Sequence, residues 1–394
     1  MKQIEGSRAI AETVALCRPE VICAYPITPQ THIVEALSEI VKAGELDPCA
    51  FINVESEFAA LSVAIGASAA GSRAYTATAS QGLLYMTEAL YNAAGLGLPI
   101  VMTLGTRAIG APINIWNDHS DAMALRDAGW IQLFAESNQE AADLHVTAFR
   151  LAEELSVPVM VCVDGFILTH AFEPVDIATQ ADVDAFLPPF VPREVLDPAD
   201  PITIGALVGP EAFTEVKVLA HQRMRRAIDR IPALASEFAA RFGRTSGALV
   251  RSYRTLEADT VVVALGSVSG TIQEVVDAMR DEGQAVGSVS VVTFRPFPFA
   301  AVRQALKHAL RVVVIEKNLA IGMRGVLAAD VREALGVEAP PVHTVIAGLG
   351  GRGITSTSLH RVIGEAHTGT LELEHFLDLD RPTVVRATAK ELSR

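Results

Sequence analysis

The stretch that decides the fold is residues 21–30, VICAYPITPQ, an apolar run that ends at a turn containing two prolines. Proline fixes φ and lacks a backbone N–H, so Pro26 and Pro29 end a strand and stiffen the loop that follows it. The turn places the hydroxyl of Thr28 at the C-terminal end of that strand. Open α/β sheets bind ligands at this end of their strands, so Thr28 is a candidate ligand contact.

A second stretch, residues 53–59 (NVESEFA), carries two carboxylates at the end of another short strand. The helix predicted to follow is so rich in Ala, Gly and Ser that another backbone can pack closely against it. A carboxylate at a helix N-terminus is favoured by the helix dipole. The spacing alone therefore leaves two interpretations of Glu55 and Glu57 open, namely a helix cap and a functional acid.

Strands and helices continue to alternate along the chain after these two stretches. This spacing predicts βαβ units and a parallel sheet. A second pattern of the same kind begins near Leu256. We therefore predict an α/β fold with one domain over residues 1–245 and another over residues 256–394. Residues 172–203 are rich in proline and acidic side chains, and we expect them to form a linking excursion of the first domain.

Composition narrows the classes of function. The chain has 394 residues, of which 50% are hydrophobic and 20% charged, and its formal net charge is −14. Such an acidic chain is a poor partner for nucleic acid and for anionic membrane surfaces. No uncharged apolar run reaches the roughly 18–20 residues that a membrane span needs, and the N-terminus lacks the apolar core of a signal peptide. We expect a cytoplasmic protein without membrane insertion.

Metal chemistry has no signal in the sequence. The four cysteines form no CxxC pair, and neither zinc nor iron–sulfur ligand spacing is present. Asp118, His119 and Asp121 lie in the polar stretch at residues 111–121, APINIWNDHSD, but their spacing is poor for a metal ion. Asx-type hydrogen bonds that order this loop over a cleft are favoured, and a role for His119 as a general base stays open.

Residues 348–353, GLGGRG, match the G-x-G-x-x-G pattern after a predicted strand. A dinucleotide site needs a further helix, a further strand and an acid about 20 residues on, and the remaining sequence forms no clear unit of that kind. The sequence favours a glycine-rich turn, which a partner could contact.

Arg107 directly follows another predicted strand, at residues 99–104. A guanidinium at this end of a sheet can hold a carboxylate through two parallel hydrogen bonds. The spacing leaves substrate binding and an ordinary ion pair equally open.

Taken in order, YPITP, ESE, SQG, TRA and NDHSD resemble the α subunit of 2-oxoacid:ferredoxin oxidoreductases of the pyruvate:ferredoxin oxidoreductase type, which are thiamine diphosphate enzymes. The resemblance covers nearly the whole chain. It implies a parallel-sheet domain of the type that binds the pyrimidine of thiamine diphosphate, followed by an α/β domain like the last domain of transketolases.

The resemblance also implies roles for individual residues. Glu57 matches the catalytic glutamate that touches the aminopyrimidine of the cofactor. Thr28 matches a threonine that contacts the 2-oxoacid, and Arg107 matches the arginine that pairs with its carboxylate. The remaining cofactor-binding residues that it implies are Ser80, Gln81 and Gly82. One departure is that Gln30 and Thr31 follow YPITP, where the family usually has small serines.

Missing motifs imply partner chains. The chain has no GDG followed by a distant Asn that would hold Mg²⁺ and the diphosphate, and it has no cysteine clusters. By the plan of the family, a β subunit supplies the Mg²⁺ and diphosphate ligands, a ferredoxin-like subunit carries the iron–sulfur clusters, and a γ-type subunit completes the complex. The α subunit then supplies half of an active site.

The implied reaction is the coenzyme A-dependent oxidative decarboxylation of a 2-oxoacid to acyl-coenzyme A and CO₂. Pyruvate is the commonest substrate of the family, and an aromatic or branched 2-oxoacid such as phenylglyoxylate is an alternative. Two other functions stay open at this stage: a subunit of a non-oxidative thiamine diphosphate enzyme, such as a decarboxylase or transketolase, and a non-catalytic scaffold subunit.

Overall fold

A computed structural model describes residues 1–337 and 339–392 of the chain. These residues form two large sheets, of seven and six strands, and a small sheet of two strands. Helices cover both large sheets, and no helix within the described residues is long and apolar enough to cross a membrane.

The elements of the first part follow the predicted alternation. Its strands are β1 Lys2–Glu5, β2 Val21–Ala24, β3 Ala50–Asn53, β4 Ala74–Thr78, β5 Val101–Thr106, β6 Ile131–Phe134, β7 Val159–Asp164 and β8 Phe172–Val175. Its helices are α1 Gly6–Leu16, α2 Thr31–Lys42, α3 Glu57–Ala69, α4 Ser80–Tyr85, α5 Thr87–Leu96, α6 Ser120–Ala124, α7 Asn138–Leu155, α8 Gln180–Phe186 and α9 Pro210–Phe242.

The second part repeats the α/β pattern. Its strands are β9 Val250–Tyr253, β10 Thr260–Ala264, β11 Val286–Val291, β12 Thr293–Arg295, β13 Arg311–Glu316, β14 Val342–Ile346 and β15 Glu374–Phe376. Its helices are α10 Val268–Asp281, α11 Phe299–Leu306, α12 Val326–Leu335, α13 Ser356–His367 and α14 Arg381–Leu392.

The seven-stranded sheet has the order β12-β6-β7-β5-β4-β2-β3, and all its pairs are parallel except β12 with β6. Every residue of β4, β5 and β7 is buried. Central parallel strands are covered by helices on both faces, so they consist of continuous apolar or small residues. The carboxyl ends of β2, β4, β5 and β7 consequently lie along one edge.

The six-stranded sheet has the order β15-β14-β13-β10-β11-β9, in which only the β11–β9 pair is antiparallel. Between β11 and β12 the chain leaves this sheet, and β12 then extends the seven-stranded sheet by pairing with β6. The division into domains at residues 1–245 and 256–394 stays a prediction.

Two local predictions are wrong in part. Residues 172–203 contain β8, which pairs with β1, and helix α8, which contacts α9. Both elements are short, so neither shows enough hydrophobic periodicity to be recognised in the sequence. The apolar run at residues 285–293 also predicts one strand, but Val292 separates β11 from β12 because the two segments belong to different sheets.

Candidate active site

The predicted site residues follow the carboxyl ends of neighbouring parallel strands. Thr28 follows β2, Glu57 begins the helix after β3, Ser80 begins the helix after β4, and Arg107 follows β5. Because β3, β2, β4 and β5 are adjacent and parallel, these residues lie along the same edge of the sheet.

Thr28 and Arg107 are in direct contact. Nη1 of Arg107 donates to the backbone carbonyl of Thr28 at 2.7 Å, and Nε donates to the carbonyl of Asn114 at 3.2 Å. Thr28 is itself exposed, so its hydroxyl is accessible beside the guanidinium. The two residues that the resemblance assigns to the 2-oxoacid are therefore brought together.

Arg107 is a buried cation that has no carboxylate partner. It is 7% exposed, and within residues 1–337 and 339–392 it forms no ion pair and its Nη2 makes no hydrogen bond. Burial lowers the pKa of Arg107, while the neighbouring Asp121 opposes that shift. Buried charges are normally paired, so the free side of this guanidinium is a place for an anionic ligand rather than one end of an ordinary ion pair.

Asp121 holds the loops that carry Ser80 and Arg107. Its Oδ2 accepts the backbone N–H groups of Ser80 at 2.8 Å and Arg107 at 3.0 Å, and its Oδ1 accepts that of Ala122 at 2.8 Å. Burial raises the pKa of Asp121 to about 8, against the effect of these three donors. Asp121 therefore accepts a proton more readily than an ordinary carboxyl group, and its protonated form leaves the positive charge of Arg107 uncompensated.

Ser80 has the positive φ of +49°, which is uncommon for a residue with a side chain. Its hydroxyl donates to the carbonyl of Ala108 at 2.5 Å and also lies 2.5 Å from Oε1 of Gln81. The Ser80-Gln81-Gly82 turn is thus fixed to the segment that follows Arg107.

Glu57 does not cap helix α3 with its side chain. Ser56 is the cap, and its hydroxyl accepts the N–H of Ala59 at 3.2 Å. Glu57 is only 9% exposed, and its carboxyl group makes no hydrogen bond with any of residues 1–337 and 339–392. The structure therefore does not support a side-chain cap at Glu57, and its role as a functional acid stays a prediction.

Gly82 lies against the carboxyl group of Glu57. A Cβ built at Gly82 would be 2.9 Å from Oε1 of Glu57 and 2.5 Å from Oγ1 of Thr78. That Thr78 hydroxyl is buried and has no partner among the described residues. The lack of a side chain at Gly82 therefore allows the carboxyl group of Glu57 and the hydroxyl of Thr78 to lie directly against the backbone of this turn.

A buried cluster of charged and polar side chains also lies at this edge, and no motif in the sequence predicts it. Asp164, at the end of β7, contacts Nε2 of His119 at 2.7 Å and accepts bonds from Nζ of Lys317 at 2.9 Å and from the hydroxyl of Ser267 at 2.5 Å. Asp164, His119 and Lys317 are each at most 4% exposed. Burial opposes ionisation of Asp164, but Lys317, His119 and these hydrogen bonds together hold its pKa well below the usual value.

Asp164 is the point where the two large sheets meet, because Ser267 follows β10 and Lys317 follows β13. His119 is committed to this cluster by its side chain, and its backbone N–H donates to the carbonyl of Lys317 at 2.8 Å. These contacts help to join the two sheets, and the role of His119 as a general base stays open. A remote contact of this kind leaves no spacing signal in the sequence.

The loop at residues 111–121 is held by the glycine-rich turn. Asp118 accepts the backbone N–H of Ser120 at 2.9 Å, which is the expected Asx-type bond, and that of Gly350 at 3.0 Å. The side chain of Asn114 donates to the carbonyl of Gly350 at 3.1 Å. Residues 348–353 thus form a turn that contacts a loop of the same chain, and contact with a partner stays a prediction.

Gln30, which departs from the usual family pattern, is fully buried. Its Nε2 donates to the carbonyl of Tyr25 at 2.9 Å. The side chain therefore braces the YPITP turn from inside.

Comparison with protein-family models gives two matches. Residues 12–235 match the model described as "Pyruvate flavodoxin/ferredoxin oxidoreductase, thiamine diP-bdg", and residues 258–359 match "Pyruvate:ferredoxin oxidoreductase core domain II". Among curated proteins, pyruvate synthase subunit PorA of Methanosarcina barkeri is 48% identical over 96% of both chains. Ketoisovalerate oxidoreductase subunit VorA of Pyrococcus horikoshii is 39% identical over 90% of both chains.

Solved structures share the fold at low identity. The 2-oxoglutarate:ferredoxin oxidoreductase from Magnetococcus marinus matches with a TM-score of 0.72 and 19% identity, over 93% of this chain and 65% of that one. A split-gene transketolase β4 tetramer matches with a TM-score of 0.56 and 16% identity, over 93% of this chain and 99% of that one. The predicted fold class, a parallel-sheet thiamine diphosphate-binding domain followed by a transketolase-like one, is confirmed. On the family-model match and the identity to its curated relatives, the chain belongs to the pyruvate flavodoxin/ferredoxin oxidoreductase family, in which it is an α-type subunit.

Proposed function

We propose that this chain is the α subunit of a thiamine diphosphate-dependent oxidoreductase that converts a 2-oxoacid and coenzyme A to acyl-coenzyme A and CO₂. The observation that carries the proposal is the buried carboxyl group of Glu57, which has no hydrogen-bond partner among the described residues. It lies against the backbone of Gly82, in the turn that also carries Ser80 and Gln81. Both features suit the polar edge of an aminopyrimidine.

Thiamine diphosphate, when bound, supplies the nucleophilic carbon and takes up the electron pair that stays behind when CO₂ leaves. Glu57 would hold the cofactor by sharing a proton between its carboxyl group and a ring nitrogen. Ser80, Gln81 and Gly82 would line the cofactor on the neighbouring turn. The described residues include no equivalent holder for the diphosphate and Mg²⁺, which we assign to a β subunit.

Arg107 and Thr28 would bind and orient the 2-oxoacid. The free Nη2 of Arg107 and its uncompensated charge suit a carboxylate, which charge-assisted hydrogen bonds hold more strongly than neutral ones. The exposed hydroxyl of Thr28 lies on the same side of the site. Fixing the substrate in this way favours reaction by orientation rather than by covalent participation of the chain.

Pyruvate is the substrate that we propose, because the more similar relatives are pyruvate synthase subunits. A branched 2-oxoacid is the second candidate, on the strength of the ketoisovalerate oxidoreductase relative. An aromatic acid such as phenylglyoxylate stays a prediction from the sequence alone. Electrons would pass to iron–sulfur clusters on a ferredoxin-like partner, a γ-type subunit would complete the complex, and its location would be the cytoplasm.

The test uses the complete complex and a panel of 2-oxoacids, with coenzyme A and a dye as electron acceptor. Glu57→Gln should reduce turnover by orders of magnitude while the subunits still assemble, since only proton sharing with the cofactor is lost. Near-normal turnover would refute the role of Glu57. Turnover without any acceptor would instead indicate a non-oxidative thiamine enzyme.

Arg107→Ala should raise the KM for the 2-oxoacid strongly and the KM for coenzyme A little. The size expected from the loss of a charge-assisted pair is about 1.5–3 kcal/mol, or roughly ten- to hundredfold in KM. Equal effects on both substrates would reject the carboxylate assignment. If the chain were a non-catalytic scaffold subunit, neither Glu57→Gln nor Arg107→Ala would change the activity of the complex.

A further inference from the structure

Three ligating side chains from distant parts of the sequence meet near the N-terminal ends of α1 and α2. One oxygen of Glu5 and one imidazole nitrogen each of His32 and His170 lie within 4.8 Å of one another. His32 and His170 have their ring centroids 4.6 Å apart, and Nδ1 of His32 is 2.7 Å from Oε1 of Glu5. Because positions 5, 32 and 170 are so far apart, spacing could not reveal this cluster.

We propose that Glu5, His32 and His170 bind a divalent transition metal ion of the zinc class. Two imidazoles and one carboxylate are a recurring three-ligand set for zinc, and they leave a fourth position for water. Tetrahedral bonds of about 2.0–2.2 Å need ligand atoms roughly 3.4 Å apart, so these half-exposed side chains must move by only about 1 Å.

The backbone that carries the cluster is fixed from two sides. Strand β1 pairs with β8, so that Glu5 lies opposite Phe172. The N–H of Gly6 donates to the carbonyl of Ala171 at 3.0 Å, and that of Ser7 donates to the carbonyl of Thr169 at 2.9 Å. The segments that carry Glu5 and His170 are therefore held together without a metal, which lowers the cost of ordering the ligands.

The ring of His170 is prepared for metal binding. Its Nδ1 lies 2.7 Å from the hydroxyl of Thr169, and the tautomer that donates from Nδ1 leaves the lone pair on Nε2. Such outer hydrogen bonds orient metal-ligating imidazoles.

Calorimetric titration of the full chain with ZnCl₂ tests the proposal. We expect one zinc ion per chain, bound in the micromolar range, and at least tenfold weaker binding in His32→Ala and His170→Ala. His308→Ala, which removes an exposed histidine elsewhere, should bind as the parent does. Absence of saturable binding, or equal binding by a folded His32→Ala/His170→Ala double variant, would overturn the proposal.

A second measurement needs no variant. Co²⁺ bound to imidazole and carboxylate ligands gives visible ligand-field absorption but no sulfur-to-cobalt charge transfer in the near ultraviolet. When the full chain is titrated with Co²⁺, we expect the visible ligand-field absorption and no sulfur-to-cobalt charge-transfer absorption. Charge-transfer absorption at one equivalent would assign the metal to cysteine thiols and reject the site.

Discussion

Gly82 offers the sharpest test of the candidate active site, because its lack of a side chain affects Glu57 directly. In Gly82→Ala the new Cβ would lie 2.5 Å from Oγ1 of Thr78 and 2.9 Å from Oε1 of Glu57, whereas ordinary contacts start at 3.4 Å, so both side chains must shift. The carboxyl group must therefore move by about 0.5 Å. Since a displacement of about 1 Å at a reacting centre can cost roughly a hundredfold in rate, we expect kcat to fall by about ten- to hundredfold.

Stability should change much less than activity in this variant. Gly82 lies within helix α4, where alanine is favoured over glycine by about 1 kcal/mol. That gain offsets much of the roughly 1–3 kcal/mol that overpacking costs. A fall in kcat without a comparable fall in the melting temperature is thus the expected pattern.

Gly95→Ala is the matched control. Gly95 is also helical, but a Cβ there meets nothing within 4 Å. The complete complex carrying either variant is assayed for 2-oxoacid-dependent dye reduction, and its thermal unfolding is followed by circular dichroism. If Gly82→Ala retains the turnover of Gly95→Ala, the carboxyl group of Glu57 does not act where we place it.

Two further predictions concern buried acids. The KM for the 2-oxoacid should rise above about pH 8, because Asp121 ionises there and offsets the charge of Arg107. Asp121→Asn should abolish that rise. A KM that rises equally in the parent protein and in the variant would contradict this link between Asp121 and Arg107. Lys317→Met should lower the free energy of unfolding by about 3–5 kcal/mol, because Asp164 loses the Lys317 cation. Unfolding in urea measures this change. The control is Lys307→Met, at an exposed position, which should change the free energy of unfolding by less than about 0.5 kcal/mol.

The sequence was sufficient to predict strands where they are continuous runs of apolar or small residues. Val21–Ala24, Ala74–Thr78 and Arg311–Glu316 are runs of this kind, and turns punctuated by proline or glycine follow two of them. Since carboxyl ends of parallel strands share an edge, the run before Thr28 and the run before Arg107 also indicated that both residues lie at strand ends. Local patterns thus contained both the α/β architecture and the position of the candidate site.

Long-range contacts account for what the sequence could not predict. Strand β12 pairs with β6, more than 150 residues earlier in the chain, because tertiary packing overrides the apolar run that seemed to continue β11. The contact between Asp164 and Lys317 likewise spans 153 residues. Neither pairing has a local signature, and each appears only once both sheets are assembled.

Some buried polar groups in this chain have partners within the protein, whereas others have none among the described residues. This difference distinguishes groups with a structural role from candidates for ligand binding. Asp164 is surrounded by protein donors, and its charge is satisfied within the chain. Arg107 and Glu57 are nearly as buried, yet the described residues leave one without a counter-ion and the other without a hydrogen bond. An unpaired buried charge or polar group costs free energy of folding, so it persists where a ligand completes it. By this reasoning we propose Glu57 as the catalytic group and Arg107 as the substrate-binding group, whereas His119, whose role as a base stays open, contacts Asp164.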